Sequence, residues 1–582
     1  MFPKPNLKIL FVAGIIISLS LPLFAGADTL GQRANFYIDS SYDSFQRGVI
    51  SATLQKISNQ LYFYIDDNFW GGLSDGDKNT VMASLSNLAE EFERKIYPTL
   101  TLTFGSEWRP GIDGDNRITI LIHPMKKGAG GYFNSGNEYY RVQNPNSNER
   151  EMVYLNTEYI ATSLAKSFLA HEFLHLITFN QKERIFGTEE EVWLNEARAE
   201  YVPTLLGYDS QYQGSNLQKR VNDFIKNPSD SLTDWQNTVS DYGAVNLFTQ
   251  YLVDHYGVKI LSDSLQSSKT GIESLNYALS KNGFNENFSQ IFTNWTITVL
   301  VNDCSLAPLD SKYLTGVGAK YCYKNENLKN LKLIPISNFL PLTSESTLSV
   351  NYLTKSWTGN WYKIFGGGEI LNFEFQGGLN GNFKVPYVIC DFSQKCQINF
   401  LNLDQYQMGK ITIEDFNKKY ASLTIIPSSQ KEFSGQIAPT FSFFWQVRTS
   451  IAKKEDPELI KKLLAQIEEL KKQIAEIQAK INAILAKKGI GLFSCQKLES
   501  DLYYGMSNDT QVSCLQEFLK LQGTNIYPEG FVTGNFLSLT KLAVIRFQEK
   551  YAPEILNPLG LDKGTGYVGS NTRAKINQLI GF

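Results

Sequence analysis

The hydrophobic pattern divides the chain into segments of different character. An apolar run over residues 9–24 follows Lys4 and Lys8 and ends at Ala25-Gly26-Ala27. A basic start, an apolar stretch and a small-x-small site mark an export signal, so residues 1–27 are expected to be cleaved. The other reading, an uncleaved anchor, is disfavoured by the short run and by Gly14 and Pro22 within it. From 28 to 315 the periodicities mix. Residues 117–122 and 151–155 read as strands, and 162–179 and 192–206 as helices. From 330 to 450 short β-rich runs such as 370–375, 383–390 and 422–426 alternate with Gly, Asn and Ser turns, as in an all-β sandwich. Between 454 and 488 the apolar residues Ile460, Leu463, Ile467, Leu470, Ile474, Ile477, Ile481 and Ile484 alternate spacings of three and four. That is a coiled-coil seam, suited to a homo-oligomer, to a spacer helix or to packing on a neighbouring domain. Residues 492–582 turn globular again.

Composition narrows the picture. A chain of 582 residues is too long for one core. A net charge of −3 gives no basic surface for nucleic acid, and 13 % aromatics argue for folded domains. The six cysteines fall into the close pairs Cys304 and Cys322, Cys390 and Cys396, and Cys495 and Cys514. With an export signal they are expected as local disulfides. A cysteine metal site is the rival, but no CxxC occurs and the pairs lie far apart.

The chemistry concentrates at His171-Glu172-Phe173-Leu174-His175, an HExxH motif in a run without Pro or Gly. On a helix, histidines four apart share a face and can share a metal ion, and neutral imidazole suits zinc. Glu172 stands beside that face, where it can take a proton from metal-bound water. The motif uses half of the four histidines in the chain. A second helical segment follows, with Glu196 on it.

Asn195-Glu196-Ala197-Arg198-Ala199-Glu200 matches the Asn-Glu-x-x-x-Asp/Glu segment of the gluzincins, the thermolysin-like zinc peptidases, which the chain resembles. The resemblance implies Glu196 as third zinc ligand. It implies Glu200 as the acid that orients a ligating imidazole, with Asn195 also supporting the ligands. A metzincin would need a third His soon after the motif, and the next is His255. Gly130-Gly131-Tyr132-Phe133, Glu151 to Asn156, Ala170 to Gln181 and Trp193 to Glu196 look like the hyicolysin-type bacterial metallopeptidases over roughly residues 30–300. Tyr242, at a Tyr-Gly helix start, is the candidate donor to the oxyanion, as similar helix starts in related gluzincins imply. Tyr201 is a weaker one. His255 suits a helix C-terminus. Asp113-Gly114-Asp115-Asn116 reads as a hairpin turn before the strand at Arg117, with calcium binding as the alternative.

Residues 330–450 look similar to the prepeptidase C-terminal sandwiches of secreted bacterial proteases. Leu515-Gln516, Phe518-Leu519, Thr533-Gly534, Leu539-Thr540, Phe547-Gln548, Gly566 to Gly569 and Thr572-Arg573 resemble the three-helix peptidoglycan-binding domain. The expected architecture is therefore multidomain: an α+β zincin-like peptidase domain (28–315), a β-sandwich (330–450), a coiled-coil helix (454–488) and a small α-helical wall-binding domain (492–582). The expected function is a secreted, wall-associated bacterial zinc endopeptidase acting on proteins or peptides. An inactive wall-binding scaffold and a peptidoglycan hydrolase are the alternatives.

Overall fold

A computed structural model describes residues 27–306, 320–333, 335, 338–433, 438–451, 457–488, 495 and 497–582. The expected export segment lies outside the described residues up to residue 26, as does the expected domain boundary at 315. Among the described residues no helix is long and apolar enough to cross a membrane. The chain forms two compact units, divided at residues 453 and 454, with mixed α/β content and several sheets.

The first unit begins with β1 (Arg33–Tyr37), β2 (Val49–Ile57) and β3 (Leu61–Asp66). Helices α1 (Asp67–Gly71), α2 (Asp75–Glu91) and α3 (Tyr97–Phe104) lead to β4 (Ile118–His123), β5 (Gly131–Phe133) and β6 (Met152–Asn156). These strands make one sheet in the order β1-β2-β3-β4-β6-β5. The central strands β3, β4 and β6 run parallel and are buried on both faces, which is why their sequences are continuously apolar. Leu61, Phe63 and Ile65 join the larger core, while Tyr62 and Tyr64 point to the other face beside Tyr132 and Tyr154. The edge strand β5, like β1 and β2 on the other side, runs antiparallel to its neighbour.

The parallel pairing of β4 corrects the reading of Asp113–Asn116. No hairpin partner precedes β4; the segment ends a crossover from α3. Its turns are local, with Asp115 N–H donating to Asp113 Oδ1 (2.9 Å) and Arg117 N–H to Asp115 Oδ1 (3.0 Å). Such turn chemistry carries no information about strand direction.

Helices α4 (Ala165–Thr178) and α5 (Val192–Leu205) fall where the 3.6-residue period predicts them, and a π-helical turn, Phe179–Arg184, extends α4. Then follow α6 (Asn216–Lys226), α7 (Val239–Tyr256), α8 (Lys259–Leu265), α9 (Gly271–Lys281) and α10 (Phe288–Val301).

The β-rich region contains β7 (Asn338–Leu342), β8 (Ser346–Lys355), β9 (Tyr362–Gly366), β10 (Ile370–Gly377), β11 (Phe383–Lys384), β12 (Pro386–Asp391), β13 (Cys396–Phe400), β14 (Met408–Ile413), β15 (Tyr420–Ile425), β16 (Ser428–Ser429) and β17 (Thr440–Ser450). The sheets β14-β10-β17-β8 and β13-β12-β15-β9-β7 share a core built on Phe373, Trp445, Ile364 and Leu423. This sandwich lies in the same compact unit as the N-terminal helices. Trp357, Trp361, Val388, Ile398 and Ile426 belong to the same core as the N-terminal helices. Trp361 Nε1–H donates to Thr296 O (3.1 Å), and Leu232 N–H to Trp357 O (2.9 Å).

The second unit holds α11 (Pro457–Lys488), α12 (Thr510–Leu521), α13 (Ser538–Lys550), α14 (Ala552–Ile555) and α15 (Ser570–Ile580). On α11 the seam residues Leu463, Ile467, Leu470, Ile474 and Ile477 are each 46–64 % exposed. The globular part is built twice on one plan. Gln516 Oε1 accepts from the N–H groups of Thr533 and Gly534, and its Nε2 donates to Thr540 Oγ1. Gln548 does the same with Thr565, Gly566 and Thr572, at the same offset along the chain. All three local disulfides are formed: Cys304–Cys322, Cys390–Cys396 and Cys495–Cys514.

Candidate metal centre

Two helices build the centre. His171 and His175 lie one turn apart on α4, with ring centroids 4.9 Å apart. Helix α5 crosses α4 and brings Glu196 to both: His171 Nε2 is 3.2 Å from Glu196 Oε2, and His175 Nε2 is 3.6 Å from Glu196 Oε1. One ligand atom from each residue fits within 4.8 Å of the others, in the only such group of three among the described residues.

The far side of each imidazole fixes its tautomer. His175 Nδ1 is 3.0 Å from Asn195 Oδ1, and His171 Nδ1 is 3.5 Å from Glu200 Oε1. With N–H at Nδ1, a neutral imidazole turns its Nε2 lone pair towards Glu196. Glu196 Oε2 is buried and has no donor. Acceptors that face one another across a buried gap repel unless a cation lies between them, so these residues fit a metal ion. Asn195 and Glu200 thus stand on the far sides of the two imidazoles.

Glu200 is anchored in turn. Helix α6, started by Ser215 accepting from Gln218 N–H, presents Asn216 and Arg220 to it. Arg220 Nε–H donates to Glu200 Oε2 at 2.8 Å and Asn216 Nδ2–H at 3.0 Å. Burial works against the Glu200 charge, but Arg220 and then His171 outweigh it and hold its pKa near 2. Burial pushes Glu172 up to about 8, and the charges of Glu196 and Glu200 push the same way. Burial opposes charge on His171 too; Glu196, Glu172 and Glu200 overcome it and hold its pKa at about 9. The cluster is short of positive charge.

Glu172 and His171 open onto a cavity of about 250 Å³, lined also by Tyr42, Gly131, Asn237 and Tyr242. Tyr242 sits in the first turn of α7, which Thr238 and Asp241 start with a reciprocal capping box. Its hydroxyl donates to Asn237 Oδ1 (3.2 Å), its ring stacks edge-on to Trp235, and the Arg220 guanidinium lies 4.5 Å over its face. Burial, then the Glu196 charge, pushes its pKa up, so it stays a phenol and a donor. Tyr42 was not singled out from the sequence. It comes from the loop between β1 and β2, stacks on Tyr132 at 4.6 Å, and also bonds Asn237. Burial raises its pKa, with the Glu172 charge next. Tyr201 does not line the cavity; it packs against the main core. His255 lies in the last turn of α7 with Nε2 2.7 Å from Cys322 O, outside that helix.

Strand β5 borders the cavity. A Cβ at Gly131 would come within 2.5 Å of Tyr154 O and 3.1 Å of Glu172 Cγ, so glycine is needed for the edge strand to run this close to the acid. Phe133 stacks on His175 at 6.3 Å.

No family model matches the chain, and no curated protein does. Among solved structures it is similar to a family GH115 4-O-methyl-alpha-glucuronidase with specificity for decorated arabinogalactans, at 8 % identity and a TM-score of 0.11. The match covers 57 % of this chain and 51 % of that one, so the chain spans about half the length of that enzyme. So low a score carries no argument about fold or activity.

Proposed function

We propose that the chain is a zinc-dependent endopeptidase of the gluzincin type, similar to the hyicolysin-type enzymes, exported and held at the cell wall by its C-terminal domain. One observation carries this reading: ligand atoms of two imidazoles and one buried carboxylate converge within 4.8 Å of one another beside Glu172. His171, His175 and Glu196 would hold the ion. Zinc bound there would supply Lewis acidity for a water molecule and for the carbonyl of the bond to be cut. The chain's own residues do the rest. The unpaired edge of β5 can hold an extended peptide by main-chain hydrogen bonds, which brings a peptide bond over the cavity. Glu172 accepts the proton of the attacking water and hands it to the departing amine. Tyr242, with Tyr42 beside it, keeps its O–H to donate to the oxygen on which charge develops.

Elemental analysis of the purified protein is expected to find one equivalent of zinc. Chelation should abolish casein hydrolysis, and added zinc should restore it. Clearly less than one equivalent after zinc loading would sink the proposal. Zymograms on casein and on peptidoglycan separate a peptidase from a wall hydrolase, and an inactive scaffold clears neither.

Wall retention rests on the C-terminal resemblance and on an independent core there, around Leu515, Phe518, Val544 and Phe547. A fragment of residues 492–582 is expected to co-sediment with cell-wall sacculi, while residues 28–450 stay in the supernatant. A fragment that remains soluble at both low and moderate salt refutes this. The bare seam of α11 would suit pairing with a second copy of the chain.

A further inference from the structure

Away from the metal centre, two acids are buried without a positive partner. Glu138 ends the 3₁₀ turn Ser135–Glu138 that follows β5, and Glu151 immediately precedes β6. Glu138 is 4 % exposed and Glu151 3 %. Neither oxygen of Glu138 has a hydrogen-bond donor, and neither does Oε2 of Glu151. Only Glu151 Oε1 is served, by Ile112 N–H at 2.7 Å. The two carboxyls are close enough to bond each other when one is protonated, and the charge of half-buried Asp113 acts on both.

The nearby cations are engaged elsewhere. Arg150 pairs with Asp28, and the Arg184 guanidinium stacks 3.4 Å from the ring centre of Trp108. The loop from α3 closes over the pair on a glycine: Gly111 has φ +93°, and a Cβ there would lie 1.6 Å from Glu151 Oε2. A buried carboxylate without a donor or a counter-ion is costly enough that something must neutralise it.

We infer that Glu138 and Glu151, with Asp113 at their side, form a second cation site, for a hard divalent ion such as calcium. The donor set is all oxygen, which selects calcium or magnesium over zinc, and two buried carboxylates with a third nearby suit the higher coordination number of calcium. The ion ties three segments together: the loop over Gly111, the turn after β5 and the start of β6. It therefore stiffens the edge strand that borders the metal centre. Without the ion the pair shares protons. Burial pushes Glu138 up, with Glu151 next, and pushes Glu151 up to about 7. Calcium must displace those protons, so affinity rises with pH through neutrality; Asp113 and Arg184 are the other charges acting on Glu138.

This inference does not depend on peptidase activity, and its test reads calcium directly. The full chain, loaded with zinc and freed of calcium, is titrated with calcium chloride by calorimetry, with magnesium chloride as comparison. The expected result is one calcium bound with a sub-millimolar dissociation constant, a melting temperature raised by several degrees, and weaker binding of magnesium. Glu138→Gln and Glu151→Gln should each weaken calcium at least tenfold and leave the zinc content unchanged. Hydrogen exchange on the unaltered protein covers the case in which a variant fails to fold: calcium should protect residues 109–115 and 134–151. The inference is overturned if calcium produces neither heat nor a melting shift. It is equally overturned if both variants keep full affinity, or if calcium protects other segments alone.

Discussion

Glu172→Gln is expected to keep its full equivalent of zinc and to lose about 10²–10⁴-fold in peptide hydrolysis, the usual contribution of a positioned general base. Glutamine has the shape of the residue it replaces. The close approach of Gly131 to Glu172 Cγ is therefore preserved, and the buried side chain gains no volume. What is lost is the oxygen that accepts a proton. The metal is untouched because His171, His175 and Glu196 converge without help from Glu172. Elemental analysis and a peptide assay on the same sample decide it. Unchanged turnover with zinc in place would remove Glu172 from the mechanism. Loss of zinc together with activity would make it part of the metal cage instead.

Arg220→Met is expected to cost about 3–5 kcal/mol of stability, because it strands the Glu200 charge in the interior. The Glu200 side chain is 1 % exposed, and Arg220 is the largest favourable charge acting on it. The same change frees the acid that steadies His171, so zinc affinity should fall by about 10–100-fold. Denaturant unfolding of the metal-free protein reads the first effect, and competition with a chelator reads the second. Adding Glu200→Gln should recover most of the stability but not the zinc affinity, since the neutral amide no longer needs the guanidinium. An Arg220→Met protein that unfolds at the wild-type midpoint would show that the pair is not a structural necessity. The pH dependence has a definite sign. The Glu200 pKa is lowered to about 2 in the folded protein, so its contribution is full above the ordinary carboxylate value and is lost as pH falls towards 2.

The local parts of the site were legible because their geometry is set by spacing along one helix. His171 and His175 share a face of α4 by periodicity, and Glu196, Asn195 and Glu200 follow on α5 in a recognisable string. The partners that make those residues work are long-range and carry no such period. Arg220 lies on α6 and looks like any solvated arginine of an amphipathic helix; only the fold turns it towards Glu200. Tyr42 sits in a loop far upstream, where nothing but the tertiary structure brings it into the same cavity as Tyr242. The strands were legible from their continuous apolar runs, yet that pattern is blind to pairing direction, which is why the segment before β4 was misread as a hairpin. Glu138 and Glu151 were hidden for the opposite reason: an acid at a turn or a strand end normally faces water, and no pattern marks the exceptions. The disulfides were legible since each closes a short stretch of chain.

The joint between the helical body and the sandwich has a consequence for how this protein endures. Trp357 and Trp361 stand in the sandwich but are packed as interior residues of the neighbouring layer. A cut between residues 306 and 320 would leave the pieces joined by the Cys304–Cys322 bridge, and one between 323 and 338 would leave them clasped through those indoles. A nicked molecule would thus keep its shape, whereas a shortened one that ends at residue 306 would bare a broad apolar scar and aggregate. For a protein exposed to proteolysis, resilience lies in that clasp rather than in the continuity of its backbone.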